Sequence, residues 1–150
     1  MIAPGYSLVP DEGGHWFYYD SWAVPHCDGA TRLPGARSCV GRAFIPRRRL
    51  VECVAGLDDA KLWTWPLILR GDTLKLDGEA GGGAIRASIQ NFDRTVPDGF
   101  GKEDSSTLTG AFSESEIRFK GGSLRRFGSQ PVRVVIHMTR GARLYALGVT

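Results

Sequence analysis

Residues 83–91 read GAIRASIQN, and from Ile85 onward apolar and polar side chains alternate. Ile85, Ala87 and Ile89 would face one side of an extended chain, and the arginine, serine and glutamine beside them would face the other. Alternation with a period of two residues is typical of a β-strand with one buried and one solvated face. This stretch therefore predicts a half-buried strand, preceded by a turn at the glycines of 81–83.

The same alternation recurs along the chain, whereas helical periodicity is hard to find. The segments that follow it are 16–23, 63–69, 73–77, 116–120, 132–138 and 143–149, and 40–46 and 48–54 look like two further strands. About nine strands, each with one solvent-exposed face, must bury the other face against a second sheet. We therefore expect an all-β fold, a two-sheet antiparallel β-sandwich of the jelly-roll or concanavalin-like kind, with a single barrel as the alternative.

Composition limits the classes of partner. The chain has 150 residues and a net charge of only +3, and its basic residues are scattered apart from the arginines at 47–49, so we expect no nucleic-acid partner. No run approaches the roughly 18 apolar residues of a membrane helix. Residues 1–6 have neither the basic start nor the apolar stretch of a secretory signal. We expect a soluble chain with no membrane partner, and its location stays open.

The chain has three cysteines, Cys27, Cys39 and Cys53. Cys27 and Cys39 bracket a loop rich in glycine and proline, and in an oxidising compartment a bridge between them would contribute about 3 kcal/mol. The alternative is that all three are reduced and act as small hydrophobic residues. No CxxC or HxxxH spacing accompanies them, so a zinc site is not expected.

A series of short segments carries a family resemblance that covers most of the chain. The segments are WFYYDSW (16–22) leading to Pro25-His26, VGRA (40–43), RRRLVECV (47–54), TWPLIL (64–69), RGD (70–72), GAIR (83–86), EDS (103–105), RFKGGS (118–123), QPVR (130–133) and LYA (144–146). In this order they resemble the last propeller strands and the C-terminal β-sandwich of bacterial family 32-type glycoside hydrolases, the group containing invertases and levanases. Phe119 departs from that pattern, which has tryptophan there.

The resemblance implies an organisation more readily than a reaction. It implies that residues 1–40 are an N-terminal arm and an aromatic strand like the end of a propeller, and that residues 41–150 are the sandwich. The family's catalytic carboxylates lie on early propeller blades, a part of the pattern that this chain does not show. We therefore expect a non-catalytic module used for packing, assembly or weak carbohydrate binding. Its aromatic strand would need cover, either from a propeller domain or from further copies in a homo-oligomer.

Glu52 is the candidate for an enzymatic alternative. Glu52-Cys53 imitates the glutamate–cysteine pair around the family's acid/base, although its position matches the passage from propeller to sandwich. A retaining glycosidase needs two carboxyl groups about 5–5.5 Å apart. A minimal glycosidase would therefore have to pair Glu52 with Asp20 or Asp104.

An aromatic strand provides the candidates for sugar binding. Trp16, Tyr18, Asp20 and Trp22 would share one face of this strand, and His26 follows it. Aromatic rings stack on the apolar faces of sugars, while polar side chains take the hydroxyl groups, so this face is a candidate glycan platform. The alternative is that these aromatic residues are buried. Trp63 and Trp65 are also more readily placed in the core or at a sheet edge, because Pro66 favours an edge or a bulge there.

The segment 92–112 is long and polar and reads as an extended surface loop. It contains Asp98, Glu103 and Asp104, whose oxygen atoms are the type that calcium prefers. The loop has no EF-hand register, so a solvated acidic loop without a cofactor is the main expectation.

Overall fold

The computed structural model describes residues 2–22 and 38–150, and of these the side chains of 8–20 and 39–150. The described residues form ten β-strands and two short 3-10 helices, Lys102–Asp104 and Leu124–Phe127. All paired strands are antiparallel. The all-β fold predicted from the alternation is confirmed. The chain divides into two compact units, Met1–Leu50 and Val51–Thr150.

The N-terminal unit is a three-stranded sheet. Its strands are β1 (Ile2–Asp11), β2 (Gly14–Trp22) and β3 (Ser38–Pro46), in the order β1-β2-β3. The domain boundary that we predicted after residue 40 falls inside β3, which pairs with β2 along its whole length. β2 begins at a glycine because a Cβ on Gly14 would lie 2.2 Å from the carbonyl oxygen of Ile45.

The C-terminal unit is a two-sheet β-sandwich. One sheet has the order β4-β10-β6-β8 and the other the order β5-β9-β7. The strands are β4 (Cys53–Val54), β5 (Ala60–Trp63), β6 (Leu74–Glu79), β7 (Ile85–Asn91), β8 (Ala111–Ile117), β9 (Val132–Met138) and β10 (Arg143–Val149). Every connection between consecutive strands passes from one sheet to the other.

This strand order is that of a jelly roll in which one strand of the smaller sheet is missing. The free side of β7 is occupied by the end of the long loop, where Leu108 makes an isolated antiparallel bridge with Ile85. The backbone N–H of Ala87 also donates a hydrogen bond to Oγ of Ser105, 3.2 Å away. The loop therefore protects an edge that a further strand would otherwise cover.

The core lies between the two sheets and is built from the inward faces of their strands. The predicted inward face of β7 is confirmed, because Ile85, Ala87 and Ile89 are fully buried. The face of β9 predicted to be apolar, from Val132 to Met138, is also buried. Burial of such side chains removes roughly 25 cal/mol of unfavourable hydration for each Å² of apolar surface. This is the term that holds the two sheets together.

The long loop contributes an aromatic anchor to this core. Phe100 is fully buried, and its ring centroid lies 5.2 Å from that of Phe119 and 4.9 Å from that of Phe127. Phe119 is thus part of a cluster of three phenylalanines. Gly121 fits closely against it, since an added Cβ would lie 2.1 Å from the Phe100 ring. The loop is therefore not only a surface feature.

Three predicted strands differ from the structure in extent. Of the segment 48–54, only Cys53–Val54 is a strand, and Arg48 has a positive φ of 63°, which fits the turn after β3. A strand was predicted over 63–69, but of these residues only Trp63 belongs to one, as the last residue of β5. Leu67 makes only an isolated bridge with Val132. Because proline has no N–H to donate, Pro66 interrupts the pairing there. The strand predicted over 116–120 instead covers Ala111–Ile117, and its first two residues belong to the segment 92–112 that was predicted as loop.

Candidate functional site

The outer face of the smaller sandwich sheet carries side chains that do not face the core. We define this outer face by the outward positions of its three strands: Lys61 and Trp63 on β5, Arg133, Val135 and His137 on β9, and Arg86, Ser88 and Gln90 on β7. The register aligns them in rows, one containing Lys61, His137 and Arg86 and the next containing Trp63, Val135 and Ser88. Arg133 pairs with Gln90 in a third row.

Trp63, Gln90, Arg94 and Arg133 line an open cavity of about 460 Å³, which we call the tryptophan cleft. The indole of Trp63 is 54% exposed, although β5 is a strand of the sandwich. The side-chain oxygen of Gln90 is buried and has no hydrogen-bond partner among the described residues. The cleft thus combines an exposed aromatic surface, an unused acceptor and two guanidinium groups.

Of the two arginines of the tryptophan cleft, Arg133 is held by neighbouring backbone and Arg94 belongs to a tight turn. Arg133 donates a hydrogen bond from Nη1 to the carbonyl oxygen of Phe92, 2.9 Å away, and its guanidinium lies 5.5 Å from the centre of the Phe92 ring. Arg94 has a φ of 71° in a tight turn after β7. In that turn Thr95 donates both its hydroxyl and its N–H to the Asp93 carboxylate, and these hydrogen bonds lower the pKa of Asp93.

A second cavity of about 360 Å³ surrounds His137, and we call it the histidine cavity. Its charged and titratable lining residues are Asp59, Lys61, Arg86, Lys102, Glu103 and His137. Arg86 is ion-paired with Glu103 and donates from Nε to the Thr107 hydroxyl, 2.8 Å away. Burial lowers the pKa of His137 below its ordinary value of 6.5, and the nearby ammonium groups of Lys102 and Lys61 lower it further. The imidazole is therefore neutral at neutral pH.

The histidine is hydrogen-bonded to a serine, but this pair does not form a nucleophilic centre. Nε2 of His137 lies 2.9 Å from Oγ of Ser88. A nucleophile must be reached by its substrate, and Ser88 is only 3% exposed. The hydrogen bond instead fixes the orientation of the imidazole in the wall of the cavity.

The N-terminal sheet brings together Trp16, Tyr18 and Asp20, which alternate on one face of β2 as predicted. Trp16 is already engaged. It donates its indole N–H to Asp11, 2.9 Å away, and the guanidinium of Arg42 lies 4.4 Å from its ring centre. The hydrogen bonds from Glu12 N–H and from this indole lower the pKa of Asp11.

The other candidate residues of the N-terminal platform are less constrained. Tyr18 and Asp20 are exposed and lie opposite Arg42 and Val40 of β3. The backbone of Trp22 belongs to β2, but its side chain and all of His26 lie outside the described residues. The guanidinium of Arg42 thus lies over the Trp16 ring, where a sugar would have to stack if this strand were the glycan platform.

Glu52 has a structural partner. It precedes β4 and accepts an ion-pair contact from Arg143 of β10, with Oε2 3.3 Å from Nη1. Its proposed partner Asp104 instead lies 3.1 Å from Nζ of Lys120 and accepts the N–H of Gly101. Neither Glu52 nor Asp104 lines the tryptophan cleft or the histidine cavity.

Two of the three acidic residues proposed for calcium are also ion-paired. Glu103 pairs with Arg86, Asp104 pairs with Lys120, and Asp98 is exposed on the loop between them and β7. Among the residues that the structure describes, no group of three or more His, Cys, Asp or Glu side chains converges to hold a metal ion. Cys39 and Cys53 carry free thiols, and Cys27 lies outside the described residues.

The residues of the outer face were recognised from the sequence only in part. The alternation placed Arg86, Ser88, Gln90, Arg133 and His137 opposite the core, but it did not show that they lie side by side. The expectation that Trp63 and Trp65 are in the core is wrong, because they are 54% and 86% exposed. The alternative placement of Trp63 at a sheet edge is confirmed, since β5 is an edge strand. Pro66 was the sequence feature that could have indicated an exposed Trp63, because proline favours an edge strand.

No helix in the described ranges, 2–22 and 38–150, has both the length and the apolar composition to span a membrane. No family model, curated protein or solved structure matches the chain.

Proposed function

We propose that this chain is a non-catalytic β-sandwich module that binds carbohydrate through the tryptophan cleft. The observation that carries the proposal is the exposed indole of Trp63 in one cavity with the unpartnered Gln90 oxygen and with Arg133. Ligand sites are concave and combine apolar surface with a few convergent polar groups. A sugar ring presents C–H groups to an aromatic face and hydroxyl groups at its rim, so it matches both parts of this cleft.

The Gln90 oxygen makes the polar part of the argument specific. A buried acceptor without a partner costs about 1–3 kcal/mol in folding stability. The oxygen is enclosed, so a ligand hydroxyl reaches it only when the Gln90 side chain turns toward the cleft that it lines. The hydrogen bond then formed would remove that penalty, whereas an apolar ligand would not. Arg133, held by the carbonyl of Phe92, offers donors on the same row of the sheet. The cleft therefore favours a ligand rich in hydroxyl groups.

Kinship with the C-terminal sandwich of family 32-type glycoside hydrolases is part of this proposal. The two-sheet sandwich agrees with the domain that the segments in 64–146 resemble. The ion pair of Glu52 with Arg143 supports a structural role for this carboxylate rather than a catalytic one. In such a protein the module would hold a glycan near a catalytic domain carried elsewhere.

A second role, association, has its own observation. The N-terminal sheet exposes apolar side chains on both flanking strands, with Val9 on β1 and Val40 and Phe44 on β3. Exposed apolar surface of this kind is often covered by a partner. We propose that another copy of the chain or a propeller domain covers it.

The test of glycan binding is a glycan array followed by affinity electrophoresis with the glycans that bind. We expect Trp63→Ala to weaken binding by at least about tenfold, equivalent to about 1.4 kcal/mol. Trp65→Ala is the matched control, because Trp65 is more exposed but does not line the cleft. If no glycan binds, or if both variants lose binding equally, the tryptophan cleft is not the site.

A further inference from the structure

The histidine cavity lies directly beside the tryptophan cleft on the same outer face. Lys61 precedes Trp63 by two residues on β5, and His137 follows Val135 by two residues on β9, so each pair points the same way. Two residues of an extended strand span about 7 Å. A spacing of about 7 Å is comparable with that of neighbouring sugar rings. A chain of sugars stacked on Trp63 would therefore reach the histidine cavity with its next ring.

The acidic groups of the histidine cavity are already engaged. Glu103 is ion-paired with Arg86, and Asp59 accepts the backbone N–H of Arg140 at 3.0 Å. Lys61 and Lys102 are exposed and form no salt bridge with the described residues. Both lysines line the cavity together with His137, and their positive charges lower the pKa of that histidine.

The charge balance of the lining is positive. Lys61, Arg86 and Lys102 are cationic, and only two acidic side chains line the same cavity. A neutral imidazole at its wall adds hydrogen-bonding capacity without further charge. An opposite charge placed a few ångströms from two ammonium groups that no described carboxylate pairs with, in a partly enclosed cavity, is favoured more strongly than in open water.

We infer that the histidine cavity binds the anionic group, a carboxylate or a sulfate, of an acidic saccharide whose neighbouring ring stacks on Trp63. This inference rests on the proposed function and names its ligand class. Lys61 and Lys102 supply the attraction, and Arg86, fixed by Glu103, completes the cationic wall. Carboxylate and sulfate present the same anionic oxygen atoms to these groups, so the experiment must separate the two sources.

The experiment compares pairs of ligands that differ only in charge. Calorimetric titration would use oligogalacturonate against its methyl ester, and dextran sulfate against dextran. The charged member of at least one pair is expected to bind at least about tenfold more tightly than its neutral counterpart at moderate salt. The pair that shows the difference identifies the anion as carboxylate or sulfate.

A matched pair of double variants tests the site. Lys61→Met with Lys102→Met removes two charges from the cavity, and Lys75→Met with Lys120→Met removes two charges outside it. The first variant is expected to weaken binding of the charged ligand by about tenfold, and the second by less than about twofold, since only the first changes local charge. Circular dichroism checks the fold, and Lys102→Gln alone replaces the first variant if that variant does not fold.

The outcomes separate this inference from the proposed function. Equal losses in the two double variants, or equal affinity for charged and neutral ligands, would overturn the inference. If neutral glycans still bind and depend on Trp63, the proposed function stands without it. If none of the ligands binds and the glycan array is also empty, both fail.

Discussion

His137 of β9 and Ser88 of β7 are joined by a hydrogen bond of 2.9 Å between Nε2 and Oγ, across a strand pair whose other faces form the core. The bond holds a partly buried imidazole in the wall of the cavity that Lys61 and Lys102 also line. The pKa of His137 therefore depends both on its burial in the folded chain and on the charges of the outer face.

The first prediction concerns stability and pH. The pKa of His137 in the folded chain lies below its ordinary value of 6.5, because burial and the two lysines disfavour the imidazolium. Between the two pKa values the unfolded chain binds more protons, so the free energy of unfolding rises with pH through this window and levels off above 6.5. Urea denaturation at a series of pH values measures this slope.

Substitutions test whether His137 causes this pH dependence of the free energy of unfolding. His137→Asn should remove the part of the slope due to this residue. Lys61→Met and Lys102→Met should each raise the pKa of His137, followed by NMR, because each removes a nearby positive charge. Lys75→Met, in the other sheet, should leave it unchanged. A folded-state pKa above 6.5 would contradict the described environment.

A second prediction concerns the unpartnered oxygen of Gln90. Gln90→Met keeps a similar volume and removes the buried acceptor, so the free energy of unfolding should rise by up to about 1 kcal/mol in the absence of ligand. The same variant should bind glycan more weakly, because the ligand hydroxyl loses its acceptor. Urea denaturation and affinity electrophoresis measure the two effects.

Gln130→Met is the control for Gln90→Met. Gln130 is an exposed amide whose Nε2 lies at the limit of hydrogen-bonding distance from Asn91, 3.4 Å away. Its replacement should change stability by less than about 0.5 kcal/mol, as expected for a surface position. A loss of stability in Gln90→Met as large as that of a core cavity would show that its side chain has a partner after all.

A third prediction tests the anchor of the long loop. Phe100→Ala should lower the free energy of unfolding by about 3–5 kcal/mol, because it empties the centre of the cluster with Phe119 and Phe127. Phe92→Ala, on the same loop but exposed, should cost at most about 1 kcal/mol, the value of its contact with Arg133. Thermal and urea denaturation compare the two, and equal effects would show that Phe100 is not the anchor.

The sequence predicted the parts of this fold that depend on local periodicity. The inward residues of β7 and β9 follow from alternation alone, because a strand places successive side chains on opposite faces. In the segment 143–149, alternation alone predicts that Tyr145, Leu147 and Val149 share one face, and this prediction fails at Tyr145. A bulge between Leu144 and Ala146 changes the register, so Leu144 packs in the core instead of Tyr145.

The candidate site was harder to predict, for a physical reason. Trp63, Gln90 and Arg133 lie far apart in the sequence and meet only through the pairing of β5 and β7 with β9. Register between distant strands is set by the packing of the whole sandwich, which a single sequence does not display. Phe100 was missed because its loop is polar on average, and one buried ring has no periodicity.

The last prediction concerns association through the N-terminal sheet. Val40 is 72% exposed on β3, and Phe44 is exposed on the same strand, so both are available to a second copy. Light scattering should show a dimer or higher oligomer, and Val40→Lys with Phe44→Lys should shift it toward monomer, because a buried unpaired charge opposes association. Leu57→Lys is the control, since Leu57 is more exposed than Val40 or Phe44 but belongs to the C-terminal unit. A monomer at every concentration would exclude self-association and leave a different domain as the cover for this sheet.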